Sequence, residues 1–332
     1  MSRFLPDRFT MLLVMAVTLA SVFPISGRYA DWFGIATNCA IGLLFFLYGA
    51  RLSREVVGGG LLHWRLHLAI MLVTFLLYPL IGLAIGFIPE SILPQPFYMG
   101  ILFLCVLPST VQSSIAFTSM AGGNVPAAIV AASASNLIGI FLTPALVALL
   151  MSAKAGGGVS ADALQQIATQ LLLPFVAGQI LQPWIGEWVR SKKKLLTPVD
   201  RSSILMVVYL SFSHAVLEGI WSSFSLKDIG FLILIDMALL ATVLCVTRYG
   251  SRALGFSRND EIAITFCGSK KSLASGVPMA NAIFAGSPSI GAIVLPVMLF
   301  HQLELMTCAV IAQKYAARRK ANEEMKSQTA PA

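Results

Sequence analysis

The amino-acid sequence predicts an all-α membrane protein of ten transmembrane helices, and three observations support this fold class. Of 332 residues, 57% are hydrophobic and 11% are charged, whereas soluble domains carry about 25% charged residues. Apolar runs of roughly 20 residues, the length that crosses a bilayer, follow one another along the chain. Lys and Arg are concentrated in alternate connections between these runs, which is typical of multi-pass proteins.

Short polar or glycine-rich connections, such as 58–60 and 94–96, separate the predicted spans. The approximate bounds of the ten spans are 9–26, 33–50, 66–88, 97–120, 124–152, 163–185, 202–220, 229–249, 262–284 and 289–312. The alternative for the first run is a cleavable signal peptide, but residues 23–25 lack the small side chains of a cleavage site. We expect residues 1–320 to form one domain, followed by a tail at 321–332.

The distribution of basic residues predicts the orientation in the membrane. With the N-terminus placed inside, only Arg28, Lys154 and Lys227 fall in outside connections, and Lys270 and Lys271 lie within the ninth span. The remaining 18 of the 23 Lys and Arg then lie inside. We therefore expect a plasma (inner) membrane protein with both termini in the cytoplasm. This topology accounts for the net charge of +8, so the predicted partner is the lipid bilayer and not nucleic acid.

Two similar segments indicate an internal repeat. Residues 112–116 and 120–124 of the fourth span resemble residues 270–274 and 279–281 of the ninth in their small polar side chains. Five spans separate the two copies, so the second copy is inverted, and the repeats cover about 9–152 and 163–312. Inverted repeats with helices interrupted at corresponding positions are typical of secondary transporters. The alternative is a coincidence, since small residues are common wherever membrane helices pack together.

Five motifs in order resemble the bile acid:sodium symporter family, in particular a bacterial branch that is similar to a divergent animal branch. The motifs occupy 107–110 together with 113–114, 123–125, 142–145, 266–274 and 300–302. The resemblance implies a panel of spans 1, 2, 6 and 7 and a core of spans 3–5 and 8–10. It also implies that interrupted helices 4 and 9 cross each other. The function it implies is transport of a small organic anion by alternating access.

The resemblance also implies where a coupling cation would bind. In that family sodium is held by side chains after the proline of the fourth span, by hydroxyls of the fifth span, and by a Glu and a Gln of the ninth. The first two sets correspond here to Ser113, Ser114, Ser133, Ser135 and Asn136.

The ninth span departs from this pattern. Phe266 stands at the carboxylate position and Lys270 at the glutamine position, and no Asp or Glu occurs between Ile262 and Leu303. Neutral oxygens beside an ammonium group are a poor sodium site, because hard cations prefer anionic or carbonyl oxygens. We expect transport to depend weakly or not at all on sodium. Lys270 would then act as a built-in cation, and protons would be the alternative coupling ion.

The remaining site residues are predicted to contact the substrate or to balance charge. We expect Gln112, Lys271, His301 and Gln302 to bind the substrate. Adjacent lysines on a helix point in different directions, and charges at this depth are usually functional or paired. The alternative is therefore that one of the two lysines pairs with Asp236 or Glu304 and only joins two helices.

Two other functions are weighed against transport. One is a regulatory membrane protein that affects calcium homeostasis. The other is an intramembrane enzyme with a Ser–Lys dyad, such as Ser114 with Lys270, although the sequence contains neither H-E-x-x-H nor G-x-S-x-G. We predict no catalytic residues, no metal site and no cofactor apart from Na⁺ or H⁺ as coupling ion. The sequence selects neither one organic anion nor an oligomeric state.

Overall fold

A computed structural model describes residues 8–51, 63–155, 168–217, 219, 224–284, 287 and 289–329. All regular structure in these ranges is helical. The α-helices are α1 Arg8–Val22, α2 Gly27–Arg51, α3 Trp64–Leu72, α4 Tyr78–Ile85, α5 Gln95–Val106, α6 Val111–Ala121, α7 Val125–Ala155, α8 Leu173–Ser191, α9 Lys193–Leu217, α10 Leu226–Ala253, α11 Arg258–Gly268, α12 Leu273–Ile283 and α13 Ile290–Thr329. Two π-helical turns, Val73–Leu77 and Ala168–Leu172, precede α4 and α8.

Several of these helices are long and apolar enough to cross a bilayer. Within the described residues there are five: Gly27–Arg51, Trp64–Ile85, Val125–Met151, Leu226–Ala253 and Ile290–Arg319. The pair α5 and α6 makes a sixth span if its bend of 63° is counted within one crossing. The chain is therefore a helical, multi-pass membrane protein, as the composition predicts.

Two interruptions divide otherwise apolar helical segments. The first break, Leu107–Thr110, lies between α5 and α6. It contains Pro108, which has no N–H to donate and whose ring clashes with the preceding turn. The second break, Ser269–Ser272, lies between α11 and α12, directly after Gly268. Both interruptions lie where proline and glycine predict them.

The π-helical turn at Val73–Leu77 leaves one carbonyl without a donor from its own helix. The N–H of Tyr78 donates to the oxygen of Val73, five residues earlier. This N–H is therefore not available to the oxygen of Thr74, which it would bond in an α-helix. The next residue along, Pro79, has no N–H. The carbonyl oxygen of Thr74 is therefore open to a donor from elsewhere in the protein.

Two glycines allow α2 and α8 to pack with their backbones in contact. A Cβ on Gly49 would collide with the carbonyl of Phe175, and a Cβ on Gly178 would collide with the carbonyl of Phe46. Such close approach through small residues is a common way for membrane helices to associate, because lipid offers no hydrophobic advantage for their contact.

At the start of α11, a buried carboxylate joins three helices. Glu261 is 3% exposed. Its oxygens accept hydrogen bonds from Arg252 of α10 at 2.9 and 3.1 Å, from Arg258 at 2.9 and 3.0 Å, and from the Tyr315 hydroxyl of α13 at 2.9 Å. Charge-assisted bonds of this kind are the strong ones, so they fix α11 and the second break relative to α10 and α13.

Candidate functional site

The two breaks bind each other through hydrogen bonds. The Ser109 hydroxyl donates to the Cys267 carbonyl at 2.6 Å. The Thr110 hydroxyl donates to the carbonyl of Lys271 at 2.8 Å, and the main-chain N–H of Ser272 donates to Pro108 at 2.8 Å. Unpaired main-chain groups are costly inside a membrane, so each break supplies partners for main-chain groups that the other leaves free.

Helix α7 forms hydrogen bonds with the first break and with α12 through Ser135 and Asn136. The N–H of Ser109 donates to the Ser135 hydroxyl at 3.0 Å, and the Asn136 amide donates to the Ser109 carbonyl. The amide oxygen of Asn136 in turn accepts a bond of 2.9 Å from the Ser275 hydroxyl on α12. Asn136 therefore bridges the first break to the helix that follows the second.

A cavity of about 440 Å³ adjoins the joined breaks. Its polar lining consists of Thr110, Gln112, Ser113, Ser133, Asn136, Ser272, Ser275 and His301. Its apolar lining includes Phe9, Phe45, Tyr48, Leu137, Ile140 and Phe175, and two arginines, Arg51 and Arg201, also line it. A cavity with an apolar lining and a few convergent polar groups is the usual form of a small-molecule site.

Two half-helices begin at this cavity. The first residues of α6, starting at Val111, and of α12, starting at Leu273, both line its wall. Helix N-termini present free N–H groups and a partial positive charge. Their convergence makes the cavity suited to a negatively charged group.

The predicted cation ligands fall into two groups. Ser113, Ser133 and Asn136 line the cavity. Ser114 and Ser135 are fully buried. The Ser114 hydroxyl donates to the carbonyl of Phe266 at 3.1 Å. The Ser135 hydroxyl accepts the main-chain N–H of Ser109 in the first break.

Aromatic rings occupy the place where the resemblance implies a carboxylate. Phe266 is fully buried, with its ring 5.9 Å from that of Phe117. The Lys270 ammonium lies over the other member of this pair, 4.6 Å from the Phe117 ring centre, at a distance typical of a cation–π contact.

Glu304 connects both lysines to the cavity. Its Oε1 lies 3.7 Å from Nζ of Lys270 and 3.1 Å from Nδ1 of His301. Its Oε2 accepts the main-chain N–H of Lys271 at 3.0 Å. Glu304 and Lys270 are fully buried, whereas the His301 side chain is 12% exposed. A continuous polar path thus runs from the cavity wall to the Lys270 ammonium.

The Lys271 side chain lies outside the cavity lining. It is 1% exposed. The ammonium donates to the carbonyls of Thr74, Cys105 and Leu107 at 2.9, 2.8 and 2.7 Å. In this conformation Lys271 does not reach the cavity, because its donors are all directed at main-chain oxygens, and its contact with the substrate stays a prediction. Gln302 is not part of the cavity lining either.

Asp236 does not pair with either lysine. It is fully buried in α10, and neither of its carboxylate oxygens has a hydrogen-bond partner within the described residues. Of the two acidic partners predicted for the lysines, the described structure brings only Glu304 into contact with them.

Several cavity residues were not predicted as site residues. Thr110 and Ser272 belong to the family motifs, so their position in those motifs was an available signal. Ser275 follows a motif by one position. Arg51 and Arg201 were interpreted only as cytoplasmic charges, and nothing in the local sequence indicates that they approach the same cavity.

Sequence comparisons agree with the resemblance. Uncharacterized protein PA2026 of Pseudomonas aeruginosa is 53% identical over 317 residues, covering 96% of this chain and 95% of that protein. Putative symporter YfeH of Escherichia coli is 49% identical over 324 residues, covering 97% and 96%. Sodium/bile acid cotransporter 7 of Mus musculus is 29% identical over 279 residues, covering 82% and 80%. Residues 7–317 match a single transporter family. The predicted resemblance is thereby confirmed, and the chain belongs to the SBF-like CPA transporter family.

Proposed function

We propose that this protein is a secondary active transporter of a small organic anion that works by alternating access. The observation that carries the proposal is the convergence of two half-helix N-termini, α6 and α12, on one cavity. Transporters use such N-termini to hold anionic groups near the middle of the membrane. The apolar part of the lining would hold the carbon skeleton of the substrate, while Arg51 and Arg201 of the lining would attract its charge.

The proposed architecture has ten spans in two inverted five-helix repeats, in the plasma membrane, with both termini in the cytoplasm. Spans 1, 2, 6 and 7 form the panel, and spans 3–5 and 8–10 form the core. The two breaks and the asymmetry of basic residues support this arrangement. The backbone contact at Gly49 and Gly178 joins the second and sixth spans, both of which belong to the proposed panel.

We infer that a proton, and not sodium, drives transport. The support is the polar path from His301 through Glu304 to Lys270, together with the aromatic pair Phe117 and Phe266 where a carboxylate ligand would be needed. Histidine is a residue that can act as a proton shuttle. It lies on the cavity wall, where it can pass a proton to the buried Glu304.

The experiment first identifies a substrate and then tests which ion gradient drives its transport. A thermal-shift screen of the purified protein with a bile acid, a steroid sulfate and short hydroxy acids identifies an anion that stabilises the folded state. Uptake of that anion into liposomes is then measured with a sodium gradient or a proton gradient. We expect the proton gradient alone to drive uptake, and Lys270→Gln to abolish this response. Strong sodium stimulation that is unchanged in Lys270→Gln contradicts proton coupling.

The two other functions find less support. A Ser–Lys dyad of Ser114 and Lys270 is not assembled, because the Ser114 hydroxyl bonds Phe266 and Lys270 faces Glu304. A protein that regulates calcium homeostasis without transport would give no anion uptake in the liposome experiment, so the same measurement separates this function from the proposed one.

A further inference from the structure

Three main-chain oxygens, from the π-helical turn Val73–Leu77, the end of α5 and the first break, converge on one point. They belong to Thr74, Cys105 and Leu107 and are called here the carbonyl site. Each is free for a different local reason. The oxygen of Thr74 has no helical donor, because the N–H of Tyr78 bonds the oxygen of Val73 and Pro79 has no N–H.

The other two oxygens are freed by the first break. The N–H of Ser109, which would serve Cys105 in a continuous helix, donates instead to Ser135. Leu107 lies within the break itself, where its backbone is extended (φ −69°, ψ 152°) and the helical pattern ends. The carbonyl site is therefore produced by the backbone and exists independently of the side chain that occupies it.

The occupant is the ammonium of Lys271. Its three hydrogen bonds to the carbonyl site are 2.7–2.9 Å long. A protonated lysine has three N–H donors and no acceptor, so three carbonyls match its charged form. The ring of Tyr78 lies 4.1 Å from the nitrogen and adds a cation–π contact. By contrast, the nitrogen of Lys270 has no hydrogen-bond partner within the described residues.

We propose that the carbonyl site is a monovalent-cation site that this transporter fills permanently with its own Lys271 ammonium. Carbonyl oxygens are ligands that hard cations accept, and a cluster of carbonyls without helical donors in the membrane interior needs a donor or a cation from elsewhere. A tethered cation cannot leave, so the carbonyl site takes no part in exchanging ions across the membrane. This last statement rests on the proposed transport function, while the site itself does not.

The test restores the missing part of the side chain. Lys271→Ala removes three methylene groups and the ammonium, which together correspond to propylammonium. We expect the Tm of purified Lys271→Ala to fall below that of wild type. Saturating propylammonium should then raise the Tm of the variant by about 5 °C. Potassium and ammonium ions should give smaller increases, because they fill less of the vacated space. Wild type is the control, since its carbonyl site is already occupied by Lys271, and we expect no such response.

Tetramethylammonium, whose methyl groups keep its charge away from the carbonyl oxygens, should not stabilise Lys271→Ala. An equal response to propylammonium in wild type and Lys271→Ala overturns the proposal, as does equal stabilisation of Lys271→Ala by tetramethylammonium. If Lys271→Ala does not fold, Lys271→Met fills the space without a donor, and a wild-type Tm for Lys271→Met overturns it. None of these measurements needs a substrate, so an absence of anion uptake would contradict only the proposed transport function.

Discussion

His301 on the cavity wall and the fully buried Glu304 are in direct contact, with Nδ1 of the imidazole 3.1 Å from Oε1 of the carboxylate. The two residues are one helical turn apart on α13, so the contact is set by the helix itself. Because Glu304 also faces Lys270, a change at the cavity can reach the buried charges through one side chain.

The first prediction separates proton transfer from hydrogen bonding at this contact. His301→Gln keeps a donor for Glu304 but has no ring nitrogen that can take up a proton. We expect the pH response of anion uptake to flatten in His301→Gln while the Tm stays near that of wild type. His301→Phe, which loses the hydrogen bond as well, should lower both uptake and Tm. An unchanged pH response in both variants would exclude His301 from the path.

The second prediction concerns the stability provided by Glu304. Glu304→Ala leaves the Lys270 ammonium without its counter-charge and the Lys271 N–H without its acceptor, and breaking a buried pair in this way costs about 3–5 kcal/mol. Replacing both partners in Lys270→Met/Glu304→Gln should recover much of that loss, because no uncompensated charge remains. Thermal denaturation of the single and double variants measures both effects. Additive losses in the double variant would show that the pair does not interact.

The third prediction distinguishes cavity residues from residues that hold the breaks together. Gln112→Ala and Ser113→Ala change side chains on the cavity wall, so we expect weaker substrate affinity with little change in Tm. The hydroxyl of Ser114 instead bonds a main-chain carbonyl. Ser114→Ala should therefore lower stability by about 1–3 kcal/mol, since it leaves that carbonyl unpaired. Loss of affinity in Ser114→Ala alone would place the substrate elsewhere.

The fourth prediction concerns the glycine contact between α2 and α8. Gly178→Leu places a side chain against the carbonyl of Phe46, and backbone cannot yield as a side chain does. We expect a loss of about 3 kcal/mol, at the upper end of the range for overpacking. Gly230→Leu is the control, because nothing lies within 4 Å of a Cβ at that position. Equal Tm values for the two variants would contradict the backbone contact.

The fifth prediction tests the proposed topology. Reporters fused at Met1, between Gly58 and His63, and after Lys320 should report the cytoplasm, whereas a reporter at Pro94 should report the outside. The physical reason is the excess of Lys and Arg on the cytoplasmic side. A C-terminal reporter on the outer side would remove the ten-span count and, with it, the inverted repeat.

Much of the fold was predictable because it depends on local sequence. The helical type follows from the length of the apolar runs, and the first break follows from Pro108, which cannot continue a helix. The convergence of small polar residues near both breaks also appears in the sequence, since free backbone groups in a membrane need nearby donors.

The roles of the two lysines were less predictable, because they depend on contacts between distant parts of the chain. Lys271 was expected at the substrate and Lys270 as the built-in cation, yet the carbonyls that hold a lysine belong to Thr74, Cys105 and Leu107 and hold Lys271. Within a break the helical periodicity that orients neighbouring side chains is lost. The sequence around residue 271 does not indicate that the main-chain oxygens of Cys105 and Leu107, more than 160 positions away, lack helical donors.

The π-helical turn before Pro79 has a consequence for the evolutionary history of the protein. A chain that exchanged this proline for another residue would regain an N–H in the third span, and the oxygen of Thr74 could return to its own helix. The ammonium of Lys271 would then lose one of its three ligands. Proline at position 79 and lysine at position 271 are therefore expected to be inherited together, and lineages that lose one are expected to lose the other.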